Sequence, residues 1–306
     1  MTGAIAGEVV LPDAKTGFRE VAPAKINLWL KVLGRRDDGY HILDSLVAFA
    51  DFGEALSALP APAMSLAIEG PEGEVLVRET SATHHENLVL RAARAFQTKF
   101  GGGSYAFTLE KHLPIASGIG GGSADAAAAL RLMASAHGVD LAAPALTDLA
   151  LELGADIPMC LMSKAALIGG IGEHIAPVSG ITGFSIVAVN PRLEVATPAA
   201  FKALAAPPVS GTPPVPQLAS HTTDEWLARI SEAGNDLEAP VSTKLVPEIA
   251  EIRRLLEPQP GCHLARMSGS GATVFGLFED LEEAEEAAGK VRSNRAEWWV
   301  RSGGLF

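Results

Sequence analysis

Glycines at 118, 120, 121 and 122 stand directly before Ser123 and a helix-prone run in "KHLPIASGIGGGSADAAAALRLMASAHG", residues 111–138. A helix N-terminus presents unpaired N–H groups and the positive end of its dipole. Glycines ahead of it let an anion reach the backbone with no Cβ in the way. The chemistry this spacing favours is phosphate binding. The same residues also suit a flexible connection with Ser123 as N-cap. Two familiar phosphate loops do not fit. Walker A needs Gly-Lys-Ser/Thr, where this chain has Gly122, Ser123 and Ala124. A dinucleotide-binding loop follows the first strand, with an acid about 20 residues on.

Four other short stretches carry groups that could do chemistry. "PAKINL" sets Lys25 in an otherwise apolar strand; a lysine that packs its stem and sends its head to water is one reading. "LGADIP" places Asp156 just after a helix stop and two before Pro158, where a cap or turn residue is the simple reading. "RMSGSGATVF" is a small-residue turn between two apolar strands, by itself a hairpin. In "THHEN", His84 and His85 are adjacent. Neighbours in an extended chain point opposite ways, so joint metal ligation is not expected and both are read as solvent-facing.

These groups must be positioned by ordinary folded elements. The chain has 306 residues, 48% hydrophobic and 20% charged, which excludes disorder for its bulk and suggests about two domains. The net charge of -12 disfavours a nucleic-acid partner, and an anionic substrate then needs a local positive site. Cys160 and Cys262 are far apart and in no CxxC pair, which fits buried packing in a reducing compartment. The start lacks a basic region followed by a long apolar run, and no apolar run reaches the ~20 residues that span a bilayer. A soluble, cytoplasmic protein with no membrane partner is expected, with monomer or homodimer left open. Nothing is assigned to residues 1–19.

Residues 18–56 read as strand, turn, strand, with turn chemistry in "GRRDDGY". "AMSLAIEG" and "EVLVRET" read as strands around a Gly-Pro-Glu-Gly turn. Residues 86–101 form a helix with Asn87 as N-cap and Gly101 as stop. "YAFTLEKHL" is a strand, 123–137 a helix ended by Gly138, and "PALTDLALELG" a helix with Pro144 at its start. "AALIGGIGEHIAPV" and "FSIVAVNP" are strand-like, and "APPVSGTPPVPQLA" is an extended Pro-rich loop. "TDEWLARISEAG", "VPEIAEIRRLLEP" and "LEEAEEAAGKVRS" are helices; "CHLARMSGSGATVFGLFED" is a strand pair and "EWWVRSGG" a last strand. Strands and helices mix in both halves, so the fold class is α+β. The division expected is 1–170 and 171–306.

"PAKINLWLKVLGRRDDGYH", "LPIASGIGGGSADAA", "GADIP" and "MSGSGATVF" occur in this order, and together they resemble the GHMP kinase superfamily. The "GRRDDGYH" block and the three glycines before "SADAA" are most similar to the branch that phosphorylates a CDP-linked methylerythritol. The resemblance covers about residues 20–300. Ala116 and Ser117 stand where the family usually has more glycine, and Ile119 where leucine is common.

That resemblance implies a two-domain GHMP kinase fold: a ribosomal protein S5 domain 2-like N-terminal domain that binds ATP, and a ferredoxin-like C-terminal domain that contributes to the substrate site. It implies ATP as co-substrate, with Mg2+ expected and its ligands unassigned. Asp156 would be the general base for the acceptor hydroxyl, and Lys25 would keep it ionised. The loop Pro114, Ile115, Ala116, Ser117, Gly118, Ile119, Gly120, Gly121, Gly122, Ser123 and Ala124 would hold the triphosphate. The Ser123 hydroxyl would meet a phosphate or Mg2+, or serve as a cap. Asn87 and Lys111 match positions near adenosine, although Asn87 also reads as an N-cap and Lys111 as an exposed lysine. Asn27, Tyr40 and His41 match the acceptor site, with His41 stacking on or hydrogen-bonding the cytosine and Tyr40 beside it. Thr197 and Phe201 match a substrate-binding threonine and a phenylalanine facing the cytosine, an aromatic pair around a pyrimidine. Gly269, Ser270 and Gly271 would close the site.

Overall fold

The computed structural model describes residues 10–13, 17–83, 86–209 and 221–306. His84, His85 and most of the Pro-rich stretch lie outside the described residues. The chain forms two compact units. One takes Met1–Ala24, Gly53–Ile115 and Gly120–Ser163; the other takes Lys25–Phe52, Ala116–Ile119 and Lys164–Phe306. The expected halves 1–170 and 171–306 follow the chain, whereas these units do not. The reason is two long strands, β2 (Gly17–Arg35) and β3 (His41–Ala61), each of which runs from one unit into the other.

In the first unit, β1 (Val10–Asp13) pairs antiparallel with the start of β2. The end of β3 pairs antiparallel with β5 (Ser104–Glu110), and β4 (Ser65–Glu69) pairs parallel with β5. Between β4 and β5 lie α1 (Gly73–Thr83) and α2 (Leu88–Phe100). The α1 segment corrects the strand expected for "EVLVRET". Leu76 N–H donates to Glu72 C=O at 3.2 Å, so a helical turn closes just after the glycine turn. Its short apolar run fits either period.

Helix α2 buries Val89, Ala92, Ala93 and Phe96, the i, i+3, i+4, i+7 stripe of an amphipathic helix. Helix α3 (Gly121–His137) is buried on every face from Ala124 to Ala134. Its alanine content follows from that position, because small side chains let α2 and α5 (Ile157–Met162) approach it closely. Between α3 and α5 comes α4 (Pro144–Leu153), with its proline at the start as expected.

The second unit holds the start of β3 paired with β6 (Ala166–Gly170), which pairs with β7 (His174–Pro177). Next come β8 (Ser185–Asn190), α6 (Thr197–Leu204), α7 (Thr223–Ala233), α8 (Glu238–Lys244) and α9 (Glu248–Leu256). The unit ends with β9 (Leu264–Met267), β10 (Val274–Phe278), α10 (Leu281–Asn294) and β11 (Trp299–Gly304). Here an antiparallel sheet runs β11-β8-β10-β9. Val187, Val189 and Val274 of this sheet share one core with Ile249, Ile252 and Val291 of the helices. The mixed α+β composition agrees with the sequence reading. The short helices α5, α6 and α8 were not expected.

No helix among the described residues is long and apolar enough to cross a membrane. Neither cysteine forms a disulfide among the described residues; Cys160 is buried and Cys262 half-buried.

Candidate active site

In the first unit the glycine run opens α3. Gly120 is the N-cap, in the left-handed region at φ +69°, and no side chain caps the helix. The helix starts two residues before the position expected, so Ser123 lies inside the first turn and is not the N-cap. Ala124 N–H donates to Gly120 C=O at 2.9 Å, which closes the first turn. Earlier amides of a helix have no intrahelical acceptor. Gly122 is exposed, and Gly121 and Ser123 are half-buried. The result is an uncapped helix N-terminus open to an anion.

Beneath Gly121 lies a cluster of charges. Lys111, at the end of β5, is only 3% exposed, which overturns the reading of it as an exposed lysine. Its Nζ donates to Glu54 Oε1 at 2.6 Å and to Asp125 Oδ2 at 3.1 Å. Glu54 also accepts from the backbone N–H of His112 at 2.6 Å and of Leu113 at 3.3 Å. A Cβ on Gly121 would stand 3.2 Å from Lys111 Nζ. Glu54 on β3 thus ties the entry to the glycine loop, through Lys111, to the second turn of α3.

Burial, the largest influence on each carboxyl, pushes Glu54 up and raises Asp125 to about 7; Lys111 pulls both back, and Glu54 adds to the rise at Asp125. Burial opposes the charge on Lys111, but Asp125 and Glu54 outweigh it and hold its pKa above the usual lysine value. Glu54 has three donors and Asp125 one. The proton that the cluster takes up therefore belongs on Asp125, leaving a neutral Lys111–Glu54 pair under the first turn of α3.

Asn87 caps α2: its Oδ1 accepts from Val89 N–H at 2.8 Å. Asp156 is the N-cap residue of α5, half-buried, and its carboxylate makes no capping bond to that helix. Capping therefore does not consume the carboxylate.

In the second unit, Lys25 is 7% exposed, and its backbone N–H donates to Ile119 C=O at 2.9 Å. The loop residues 116–119 are held by backbone bonds: Thr273 N–H to Ser117 C=O at 3.1 Å and Val195 N–H to Ala116 C=O at 3.4 Å. Ser268 Oγ donates to Gly118 C=O at 3.1 Å. Gly118 has φ +76°, and a Cβ there would lie 2.5 Å from Ser268 C=O. Ile119 is fully buried, so an apolar anchor is what this position requires.

Three pairs of expected acceptor residues meet here. His41 and Phe201 stack at 4.5 Å between ring centroids, 24° from parallel. Thr197 Oγ1 lies 3.2 Å from Ser270 Oγ. Asn27 faces Gly269, where a Cβ would stand 3.2 Å from its Oδ1. Thr197 and Phe201 are four apart on α6 and share a face, so one helix carries contacts to both His41 and the 268–271 turn. The two rings touch each other in this arrangement. Burial, then Arg35, lowers the His41 pKa and favours a neutral imidazole. Tyr40 is 59% exposed. Asn27 Nδ2 donates to Ser45 Oγ at 2.9 Å, and its backbone N–H to Ser268 Oγ at 3.0 Å. Its Oδ1 is buried with no partner among the described residues.

The description "GHMP kinases N terminal domain" matches residues 87–164, and "GHMP kinases C terminal" matches residues 215–296. A protein of Cereibacter sphaeroides named 4-diphosphocytidyl-2-C-methyl-D-erythritol kinase is 48% identical over 282 residues, 91% of this chain and 96% of its own. The chain belongs to the GHMP kinase family. Rhizobium etli has a relative of the same name, 46% identical, with 94% of each chain covered. A crystal structure of 4-(cytidine 5'-diphospho)-2C-methyl-D-erythritol kinase superposes with TM-score 0.71 at 32% identity, covering 94% of this chain and 98% of that one. Homoserine kinase from Cytophaga hutchinsonii superposes with TM-score 0.66 at 16% identity, a likeness of fold. As a GHMP kinase the chain is an enzyme that draws on ATP.

Sequence reasoning missed several residues of this GHMP kinase. Glu54 and Asp125 surround Lys111, and Asn235 Nδ2 donates to Met267 C=O at 2.7 Å and to Gly269 C=O at 2.9 Å. For Asn235 a signal existed: "GNDLE" follows a helix stop with two side chains prone to bond backbone. For Glu54 the only hint was an acid inside an apolar strand.

Proposed function

We propose that this kinase transfers the γ-phosphoryl group of ATP to the 2-hydroxyl of 4-diphosphocytidyl-2-C-methyl-D-erythritol, in the non-mevalonate route to isoprenoid precursors. The observation that carries this reading is the 48% identity to a kinase of that name along 91% of the chain. The clustering of His41 with Phe201 and of Thr197 with Ser270 supports it, because a pyrimidine diphosphate needs ring faces and hydroxyl partners. The pyrimidine stacks on or hydrogen-bonds His41 and is faced by Phe201, with Tyr40 beside it. Asn27 Oδ1 and the 268–271 turn meet the polyol. Residues 1–170 hold the ATP site, and 171–306 add Thr197, Phe201 and the 268–271 turn to the acceptor contacts of Asn27, Tyr40 and His41.

Phosphoryl transfer asks the protein mainly for positioning and charge neutralisation. Backbone N–H groups of the loop 114–124 hold the triphosphate, with the Ser123 hydroxyl facing a phosphate. Asn87 and Lys111 stand on the adenosine side; Lys111 acts there from below the loop through Glu54 and Asp125. Asp156 accepts the proton of the acceptor hydroxyl as its oxygen bonds to phosphorus and ADP leaves. Lys25 lowers the acceptor hydroxyl's pKa through its positive charge. Among the described residues no group of three or more His, Cys, Asp or Glu gathers to cage a metal. A Mg2+ bound with the nucleotide would be met by the Ser123 hydroxyl and would supply charge neutralisation.

ADP release with Mg-ATP, offering the CDP-linked methylerythritol, mevalonate and homoserine separately, tests the assignment. Turnover with the CDP-linked alcohol alone is expected. Turnover of mevalonate or homoserine instead would move the chain to another acceptor, and ATP binding without turnover of any acceptor would make it a non-catalytic nucleotide binder.

A further inference from the structure

Helix α5 has six residues, too short to persist without outside support. Besides the packing of its buried residues, part of its support is one polar side chain of α3. Arg131 is 2% exposed. Its Nη1 donates to Cys160 C=O at 2.7 Å and to Ser163 Oγ at 3.3 Å. Its Nη2 donates to Val21 C=O at 2.6 Å, and its Nε to Glu20 Oε2 at 2.8 Å. Ser163, in the left-handed region at φ +44°, ends the helix and donates its Oγ to the same Cys160 carbonyl at 2.6 Å. The guanidinium thus binds the C-terminal end of α5, where unpaired carbonyls and the negative end of the dipole welcome a cation.

The other end of α5 is Asp156. Cys160 N–H donates to Asp156 C=O at 3.2 Å, so the residue that Arg131 grips is one helical turn from Asp156. Glu20 and Val21, the remaining partners, lie on β2. That strand runs on to Lys25, four residues beyond Val21. A planar fork fixed by four acceptors transmits orientation in a way an ammonium on a flexible stem does not.

We infer that Arg131 is a positioning residue for phosphoryl transfer: its guanidinium sets the helix that carries Asp156, with Glu20 locking the guanidinium in plane. The inference rests on Asp156 being the base. Its signature is a loss of turnover without a loss of ATP affinity, because α5 is not part of the glycine loop.

The test uses Arg131→Lys, which keeps the charge and loses the fork, with kcat referred to the nucleotide-binding fraction of each preparation. kcat falls about 30-fold or more while the KM for ATP stays within about threefold. Asp156→Asn is measured alongside, as is the double variant. Two residues acting as one unit are non-additive, so Arg131→Lys costs less than about threefold further in the Asp156→Asn background. If Arg131→Lys does not fold, Glu20→Gln decides in the same assay, with an expected fall in kcat of about three- to tenfold. Folded Arg131→Lys with kcat within threefold of the parent overturns the inference, as do losses that multiply in the double variant. Unchanged kcat in Glu20→Gln overturns it where Arg131→Lys cannot be read. A depressed Asp156→Asn beside an unaffected Arg131→Lys removes the inference alone. An unaffected Asp156→Asn removes the base assignment and the inference with it.

Discussion

Around the glycine loop in the first unit, the supporting groups are charges withdrawn from water: Lys111, Glu54 and Asp125 are each at most 4% exposed along their side chains. The residues expected at the acceptor, in the second unit, are mainly rings and hydroxyls, and the rings lie nearer the surface than Asn27 and Ser270. Tyr40 is 59% exposed, and His41 and Phe201 lie half-buried against each other. A triphosphate presents the same charged oxygens in every turnover, so a rigid cluster that fixes backbone donors in advance suits it. A pyrimidine-linked alcohol is gripped by faces that adapt, and two stacked rings can slide or part at a cost of about 0.5–1.5 kcal/mol. Breaking the first region costs stability and chemistry; breaking the second costs acceptor affinity.

The largest effect is expected at Asp156. Asp156→Ala lowers kcat by about 10²–10⁴-fold with ATP affinity retained, as read by steady-state kinetics and nucleotide titration. Unchanged kcat would take Asp156 out of the chemistry. Next is Lys111→Met, which strands the Glu54 carboxylate in a dry site. About 3–5 kcal/mol of unfolding stability is lost in denaturant titration; a loss below 1 kcal/mol would show that the cluster is wet or adaptable.

Asp125 sharpens the same contrast through pH. Its pKa is raised from the ordinary 3.8 to about 7. Below both values it is protonated folded or unfolded, and it costs nothing. As pH rises between them the unfolded chain ionises first, so the folded state loses stability, and above about 7 the penalty is complete. Asp125→Asn therefore gains on the parent in Tm as pH climbs from about 4 to about 8. A gap independent of pH would mean that Asp125 is ionised throughout.

The two regions also differed in how much the sequence revealed. The glycine loop, the Asn87 cap and the stop at Gly138 are local features, set by backbone conformations that few residues tolerate, and the structure has all three. Lys111 was noticed, but its partner Glu54 is 57 residues away and Arg131 pairs with Glu20 across 111 residues. Nothing local announces such pairs. Helices α5 and α6 were missed because each is short and opens with proline, which reads equally as a turn. "EVLVRET" misled because a β-branched run of a few residues carries no decisive period. On the acceptor side, His41 and Phe201 were named by resemblance alone. That they touch is a fact of the fold.

The most direct test of the contrast is Phe201→Ala, the smallest change, with KM values for ATP and for the CDP-linked acceptor measured side by side. The account predicts an acceptor KM raised about three- to tenfold, with the ATP KM within twofold. An ATP KM that rises in step, or an acceptor KM that does not move, would contradict the division of labour between buried charges and surface rings.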